Sequence, residues 1–405
     1  MNHKIRQRFG MFLILGIAFV STVILLHSVF TSRFLGANDF FPRWKGAQLF
    51  ITEGIDPYSD TATEAIQYGI QGRPSRPDED QFLFVYPFYT IFLLIPFVWL
   101  PYDWVQAIWM AALIFGLAGG LFLTLQLIEW RMKPWLLAIT FLWGILFYHS
   151  ARTVLLGQFA GLVFLWIAGC LLALRQGRDF GAGVLLALTT VKPQMSFLLI
   201  PALLLWGVGQ RRWRFVGSFT AVLGGLVLLS FLFLPSWLTS FITQITAYPG
   251  YTAIGSPLWV ITSYYFPWLG KPVEIVLSLV LLGWLLVEWR QLPRQSATSE
   301  AFLFTIGLTL VVTNLVVLRT ATTNYVEMYV PLFWLLQRWA RRFGEGVIVV
   351  FYVVSGVLVW WLFLVTVQGD FEQPIVSLPL PFFLLGWMVW RKLAVSRMRL
   401  LQSGT

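Results

Sequence analysis

The feature that most constrains this chain is the recurrence of uninterrupted apolar runs. The first fills residues 11–30, directly behind the basic residues Lys4, Arg6 and Arg8. A helix needs about 20 apolar residues to cross the hydrocarbon core of a bilayer. The apolar stretch of a secretory leader is shorter, about 7–15 residues, so this run reads as a retained first membrane helix. Further runs follow at 105–128, 134–148, 158–174, 180–190, 195–208, 215–234, 273–287, 301–318, 326–336, 347–367 and 375–390. Several are short, and they are read as crossings because the distribution of basic loops requires one at each. Composition points the same way. Hydrophobic residues make up 58% of the 405 and charged residues 11%, against about 25% charged in soluble domains. A bilayer has to serve as solvent, and the expected fold is all-α, a polytopic transmembrane helix bundle of about 12 spans.

The 21 tryptophans fit that solvent. Trp130, Trp135, Trp213, Trp289, Trp339 and Trp390 sit beside basic residues or prolines at the ends of apolar runs, where rings lie at headgroup depth. The net charge of +10 is spread along the chain rather than gathered in one domain, so basic loops between spans account for it and no nucleic-acid partner is expected. The single cysteine, Cys170, lies within an apolar run and reads as a core filler; no intramolecular disulfide is available.

Two polar stretches break the rhythm. Residues 31–81 carry turn signals at Asp56-Pro57 and a Pro/Asp/Glu-rich segment near 73–80; residues 235–270 are rich in Tyr, Trp, Pro and Ser. Loops of this length tend to be functional. Between them, residues 82–101 are apolar enough to cross but are interrupted by Pro87, Pro96 and Pro101. If this stretch lies along the interface, the loops with clustered Lys and Arg all fall on the side of the N-terminus, as the positive-inside bias predicts. The resulting expectation is a cytoplasmic N-terminus (1–10), a first span (11–30), an outer loop with interfacial helices (31–104), core spans (105–234), a second outer loop (235–272), further spans (273–390) and a cytoplasmic tail (391–405). The chain is expected to be a multi-pass protein of the cell membrane, with its site on the outer face.

Under that topology the polar residues gather at the outer ends. Asp39, about nine residues beyond the first span, lies near the depth of a lipid-borne phosphate or sugar, where a half-buried carboxylate can act as general base on a hydroxyl; it also suits a helix N-cap. Tyr58, after the turn Gly54-Ile55-Asp56-Pro57, and Tyr86, before Pro87, are either belt aromatics or stacking partners for a sugar. Arg152, Lys192 and Arg319 are isolated cations at outer helix ends, the placement needed to neutralise a phosphodiester-linked lipid. Lys192 stands out because Pro193 follows it between two short apolar runs. Asp78-Glu79-Asp80 offers a divalent ion three acids, though a solvated acidic turn explains it as well. His3, His27 and His149 lack zinc-site spacing, and no Walker loop, dinucleotide glycine pattern or Gly-x-Ser-x-Gly elbow occurs. Neither a metal nor a cofactor is expected.

At these residues the chain resembles glycosyltransferase family 87, membrane mannosyltransferases of the GT-C class that use a polyprenol-phosphate sugar. The matching elements are Asp39 with Trp44 and Gly46-Ala47, then Gly54 to Tyr58, then Val85-Tyr86-Pro87-Phe88 leading to Leu100-Pro101. Gly157-Gln158-Phe159, Gly181 and Gly183, Val191-Lys192-Pro193 and Arg211-Arg212-Trp213-Arg214 follow. The resemblance covers roughly residues 30–235. It implies a polyprenyl-phosphate sugar donor, a glycan or glycolipid acceptor, an inverting transfer on the non-cytoplasmic face, and Asp39 as the base. Lys192, Arg152 and Arg319 become candidates for the donor phosphate by position. Tyr58, Tyr86 and Gln158 become candidate sugar or acceptor contacts. Related enzymes often carry a histidine near the outer start of a late helix; here Asn324, Tyr325 or Glu327 stands in that stretch. Gln158 is followed by Phe159 where the family often has Asn.

Two other readings compete. A transporter or flippase of lipid-linked glycans predicts midplane charges and repeated halves, and no repeat is visible. A polysaccharide polymerase or ligase shares the lipid donor but usually places its large loop late in the chain.

Overall fold

The computed structural model describes residues 3–403 except 35, 78, 252–254 and 370–371, and no strand occurs among them. Asp78, one of the three acids weighed for a divalent ion, therefore lies outside the described residues. The helices are α1 (His3–Leu26), α2 (Phe41–Glu53), α3 (Asp60–Gln71), α4 (Thr90–Leu94), α5 (Tyr102–Leu127), α6 (Pro134–Leu146) and α7 (Tyr148–Leu156). Then come α8 (Ala160–Arg175), α9 (Asp179–Leu188), α10 (Pro193–Ser196), α11 (Leu199–Gly209), α12 (Trp213–Phe233) and α13 (Trp237–Tyr251). The chain ends with α14 (Pro257–Trp259), α15 (Gly270–Trp289), α16 (Glu300–Val316), α17 (Tyr329–Phe343), α18 (Gly346–Thr366) and α19 (Pro379–Ser403).

Among the described residues six stretches are long and apolar enough to cross a membrane: Phe9–Thr31, Tyr102–Leu127, Trp213–Phe233, Gly270–Arg294, Gly346–Thr366 and Pro374–Ala394. The pair α6 and α7 makes a seventh if taken together, bent by 51° where Phe147 leaves the helical conformation at φ −59°, ψ 141°. Shorter apolar helices, Ala160–Arg175, Asp179–Val191, Leu199–Gly209 and Glu300–Val316, occupy the positions of the short runs. The protein is a polytopic helical bundle. Only 6% of the apolar window in Phe9–Thr31 and in Gly270–Arg294 is buried within the protein, so these helices turn their side chains to lipid. Helices α5, α8, α16 and α17 carry the densest core.

Close approach inside the bundle is set by small residues. At Gly183 on α9 an added Cβ would lie 2.4 Å from the Phe215 carbonyl oxygen and 2.7 Å from the Phe219 nitrogen of α12, so only glycine allows those backbones to meet.

The 31–104 segment carries α2, α3 and α4, none of which is long enough to cross. Residues 82–101 fold back on α2: Trp44 Nε1 donates to the Phe97 carbonyl at 3.0 Å and Gln48 Nε2 to the Val98 carbonyl at 3.1 Å. The second stretch expected as a loop, 235–272, is largely helical. It holds α13, α14 and a π-helical turn at Val260–Tyr265, and Gln244 on α13 donates to the Tyr58 carbonyl at 3.1 Å. The 148–156 stretch, expected as a helix end, is the nine-residue helix α7. Its polar His149, Ser150 and Thr153 are all buried, which explains why hydropathy alone does not reveal it.

Candidate active site

The site is built on the loop ahead of α2. Ala37 has a φ of 55°, a left-handed backbone that an alanine holds only when its surroundings enforce it. Three contacts do so. The Ala37 nitrogen donates to the Leu155 carbonyl at 3.1 Å, the Tyr102 hydroxyl donates to the carbonyls of Gly36 and Ala37 at 3.1 Å each, and the Gly36 nitrogen donates to Gln106 Oε1 at 3.3 Å. Phe40, fully buried, stacks on Trp109 of α5 at 4.4 Å between centroids. Trp109 Nε1 in turn donates to the Gly157 carbonyl at 2.8 Å. Gly157 itself has φ 69°, and a Cβ there would lie 2.6 Å from Phe40 Cβ. The glycine serves both the C-terminal turn of α7 and the docking of the Asp39 loop.

This clamp sets Asp39 beside Gln158. Gln158 Nε2 donates to Asp39 Oδ2 at 2.6 Å. On its other side, Gln158 Oε1 accepts from Lys192 Nζ and, at 3.4 Å, from the Tyr86 hydroxyl. One neutral amide therefore links a carboxylate to an ammonium group without letting them touch. Asp39 Oδ1 accepts no hydrogen bond from any described residue, and Asp39 is half-buried.

Lys192 owes its position to Pro193. A proline disfavours the helical region for the residue before it, and Lys192 sits at φ −130°, ψ 77°, between the 3₁₀ turn Thr189–Val191 and α10. The break leaves the side chain inside, 2% exposed, within electrostatic reach of Asp39, Arg43 and Glu327.

Arg43, in the first turn of α2, completes the cluster. Its Nη1 donates to the Asp39 carbonyl oxygen at 2.6 Å, and its guanidinium lies 4.5 Å from the centroid of the Tyr86 ring. Tyr86 is fixed by its neighbour, because the Tyr58 hydroxyl donates to the Tyr86 carbonyl at 2.6 Å. Burial pushes the Tyr86 hydroxyl up to about 12 and raises that of Tyr58 as well, so both remain neutral donors at physiological pH. Tyr58 is thus a brace behind the site, whereas the Tyr86 hydroxyl faces Gln158. Partial desolvation, with the charge of Asp39 adding to it, raises the carboxyl of Asp80 above its ordinary value.

The candidates from the C-terminal half form a second polar group. The 3₁₀ segment Thr322–Met328 is buried throughout, longer than such helices usually run. Glu327 is fully buried; its Oε1 accepts from Asn314 Nδ2, and its Oε2 has no partner. Asn324 Nδ2 reaches Thr320 Oγ1 at 3.4 Å while its Oδ1 is unpartnered. Tyr325 points elsewhere, donating to the Ser377 carbonyl at 3.0 Å. Arg152 forms an ion pair with Glu372 at 3.1 Å, and Thr322 Oγ1 donates to the same carboxylate oxygen at 3.0 Å. Arg319 lies over the Trp259 ring at 5.8 Å. Buried polar atoms without partners are uncommon, and His149 Nδ1, Thr323 Oγ1, Asn324 Oδ1 and Glu327 Oε2 are all of this kind. Thr153 of α7 ties this segment down, its Oγ1 donating to the Thr323 carbonyl at 3.2 Å.

The structure thus brings Asp39, Gln158, Lys192 and Tyr86 together, places Glu327 near Lys192, and gives Arg152 a carboxylate of its own. Sequence reasoning missed Arg43 and Asn314. The signal for Arg43 was a cation at the start of α2, four residues after Asp39; Asn314 was a lone amide in an apolar run. Among the described residues no three His, Cys, Asp or Glu side chains converge as a metal-binding group would. The acids at 79 and 80 serve the loop: Glu79 pairs with Arg73 at 2.7 Å, and Asp80 Oδ1 accepts from the Phe82 nitrogen at 2.9 Å.

The model of glycosyltransferase family 87 matches residues 84–318, more than half of the chain, including Tyr86, Gln158, Lys192 and Asn314. Asp39 precedes the matched region and Glu327 follows it. No curated protein matches the chain, and no solved structure does. With a helical membrane bundle and a matched core, the chain is a member of glycosyltransferase family 87 and hence a membrane glycosyltransferase that acts on a sugar donor and an acceptor.

Proposed function

We propose that this glycosyltransferase moves a hexose, mannose in the first instance, from a polyprenyl-phosphate donor to a hydroxyl of a glycan or glycolipid, on the non-cytoplasmic face and with inversion. The observation that carries the reading is the Asp39–Gln158–Lys192 chain. A carboxylate with one open oxygen stands one amide away from a buried cation. In the reaction, Asp39 Oδ1 takes the acceptor hydroxyl proton as the hydroxyl oxygen bonds to the anomeric carbon. The bond from that carbon to the phosphate oxygen breaks, and polyprenyl phosphate leaves with the electron pair. The growing negative charge on the phosphate faces Lys192, with Arg43 as the second cation; charge-assisted contacts of this kind are roughly twice as strong as neutral ones. Attack from the side opposite the leaving phosphate inverts the anomeric centre.

In this proposal Arg152 and Arg319 stand farther along the donor path than Lys192, because Arg152 is neutralised by Glu372. Asn324 and Glu327, each with an unpartnered buried oxygen, suit the hydroxyls of a sugar. A cavity of about 210 Å³ between α2, α4 and α12 is lined by Phe50, Ile51, Ile91, Phe92, Leu229 and Phe233 among other apolar residues, a surface suited to isoprene units rather than to a nucleotide.

The test is incubation of the purified protein with radiolabelled polyprenyl-phosphate mannose and a panel of hydroxyl acceptors. Label is expected in the acceptor with release of polyprenyl phosphate. Absence of release from any polyprenyl-phosphate sugar overturns the reading. Sidedness is tested in a Cys170→Ala background by a single cysteine at Asn38. A membrane-impermeant maleimide added outside should label it, and labelling only after the membrane is opened would reverse the orientation.

A further inference from the structure

At the opposite end of the bundle, a cleft of about 840 Å³ opens between α15, α16 and α19. Glu300, which begins α16, lies 14 residues from Asn314, so at 1.5 Å per residue the cleft is about 20 Å from the Asn314–Glu327 level. The cleft belongs to no part of the proposed transfer site. Its walls carry Arg294, Arg391 and Lys392 against Glu288 and Glu300. Lys392 Nζ is 2.7 Å from Glu288 Oε1, Arg391 Nη2 is 3.0 Å from Glu300 Oε2, and Arg338 also contacts Glu300. Glu288 and Glu300 thus answer Lys392, Arg391 and Arg338, and Arg294 has no ion-pair partner among the described residues, so the cleft carries surplus positive charge. Arg391 Nη1 is buried and makes no hydrogen bond, although the guanidinium is wedged 4.3 Å from the Trp334 ring. An arginine held by aromatic packing, with a donor left over, is prepared for an anionic oxygen.

What lies beside the cleft decides the source of that oxygen. Val287 lines the cleft and is 54% exposed, and Leu286, Trp390 and Leu393 next to it are 56%, 58% and 57% exposed. Polar residues in the hollow and bare apolar side chains along its flank match an amphiphile, with a headgroup inside and acyl chains along α15 and α19.

We infer that this cleft is a binding site for the phosphodiester headgroup of an anionic membrane lipid, with Arg294 and Arg391 as its principal contacts. The probe is phosphatidylglycerol, compared with phosphatidylcholine and inorganic phosphate by native mass spectrometry of the full chain in neutral detergent. The expected result is retention of phosphatidylglycerol about 25-fold above phosphatidylcholine, given that each of the two arginines contributes roughly a fivefold preference for anionic lipid. Arg294→Gln, an exposed side chain whose loss leaves the packing intact, should lower phosphatidylglycerol retention about fivefold and leave phosphatidylcholine unchanged. Arg391→Lys keeps the charge but removes the fork, and should weaken retention as well. Equal retention of the two lipids, or phosphatidylglycerol retention unchanged in both variants, overturns the site. Displacement of phosphatidylglycerol by millimolar inorganic phosphate would assign the cleft to free phosphate and overturn the lipid.

Discussion

The two ends of the bundle treat charge differently. At the Arg391 end, carboxylates and cations touch: Glu300 meets Arg338 and Arg391, and Glu288 meets Lys392. At the Asp39 end they are kept apart, with Gln158 donating to Asp39 and accepting from Lys192. Direct pairing satisfies the carboxylates and leaves only outlying donors of the cations, such as Arg391 Nη1, for another partner. An amide spacer keeps them adjacent yet leaves an oxygen of Asp39 and the field of Lys192 for something that arrives later. The difference separates a cluster that holds helices together from one arranged for chemistry.

The sharpest way to break this comparison is to remove the charge at Asp39. Asp39→Asn keeps the shape, and its amide nitrogen or oxygen still faces Gln158, so folding and insertion should be intact. Turnover should fall by about 10²–10⁴-fold, the usual contribution of a general base, measured as transfer from radiolabelled donor. Full turnover in this variant would make the spacer arrangement irrelevant to catalysis. The second test imports the logic of the other end. Gln158→Glu replaces the amide by a carboxylate, which pairs directly with Lys192 and repels Asp39. Activity should drop by roughly 10- to 100-fold, the equivalent of one charge-assisted hydrogen bond, because the new ion pair takes Lys192 from the donor phosphate. A Gln158→Glu enzyme with wild-type activity would show that keeping the charges apart has no catalytic purpose.

Much of the fold was legible because a bilayer imposes a simple grammar. Runs such as 347–367 and 215–234 name α18 and α12 almost to the residue, since a lipid-facing helix has to be apolar over its length. The helices that hydropathy could not reveal are those stabilised by protein contacts. In α7 the buried polar atoms are matched locally, Ser150 to Tyr329 at 2.7 Å and Thr153 to its own helix, and α13 leans on the 31–104 segment through Gln244. The candidate site was legible as a set of suspicious residues, because Asp39, Gln158 and Lys192 are polar groups in apolar company. Their meeting was not. Asp39 and Gln158 are 119 residues apart, and Gln158 and Lys192 34; only the docking of Phe40 against Gly157 and the Pro193 break bring them together. Arg43 was hidden for the converse reason. On a helix start an arginine looks solvated until its stacking on Tyr86, 43 residues later, is seen.

A smaller effect is expected from the cation side. Lys192→Ala removes the acceptor-side anchor of Gln158 and one charge facing the donor phosphate, so donor KM should rise about tenfold, the equivalent of one charge-assisted hydrogen bond of about 1.5 kcal/mol. Acceptor KM should change little. An unchanged donor KM would remove Lys192 from phosphate recognition and leave Arg43 as the leading cation.

The smallest effect belongs to the paired end. Glu300→Gln takes away the carboxylate shared by Arg338 and Arg391, leaving two cations near each other and near Trp334. Glu300 is exposed, with a side-chain relative accessibility of 63%, so the loss is that of a surface ion-pair network, about 0.2–1 kcal/mol. The Tm in detergent should therefore fall by only a degree or two, and transfer activity should stay within about twofold, since the cluster lies about 20 Å from Asn314 along α16. Surface pairs are also screened by salt, so the small Tm difference should vanish at high ionic strength, whereas the Gln158→Glu defect, buried among Lys192 and Asp39, should not. If salt abolished the defect at the Asp39 end as well, both clusters would be solvated surface features, and the distinction between a paired end and a withheld end would fail on physical grounds.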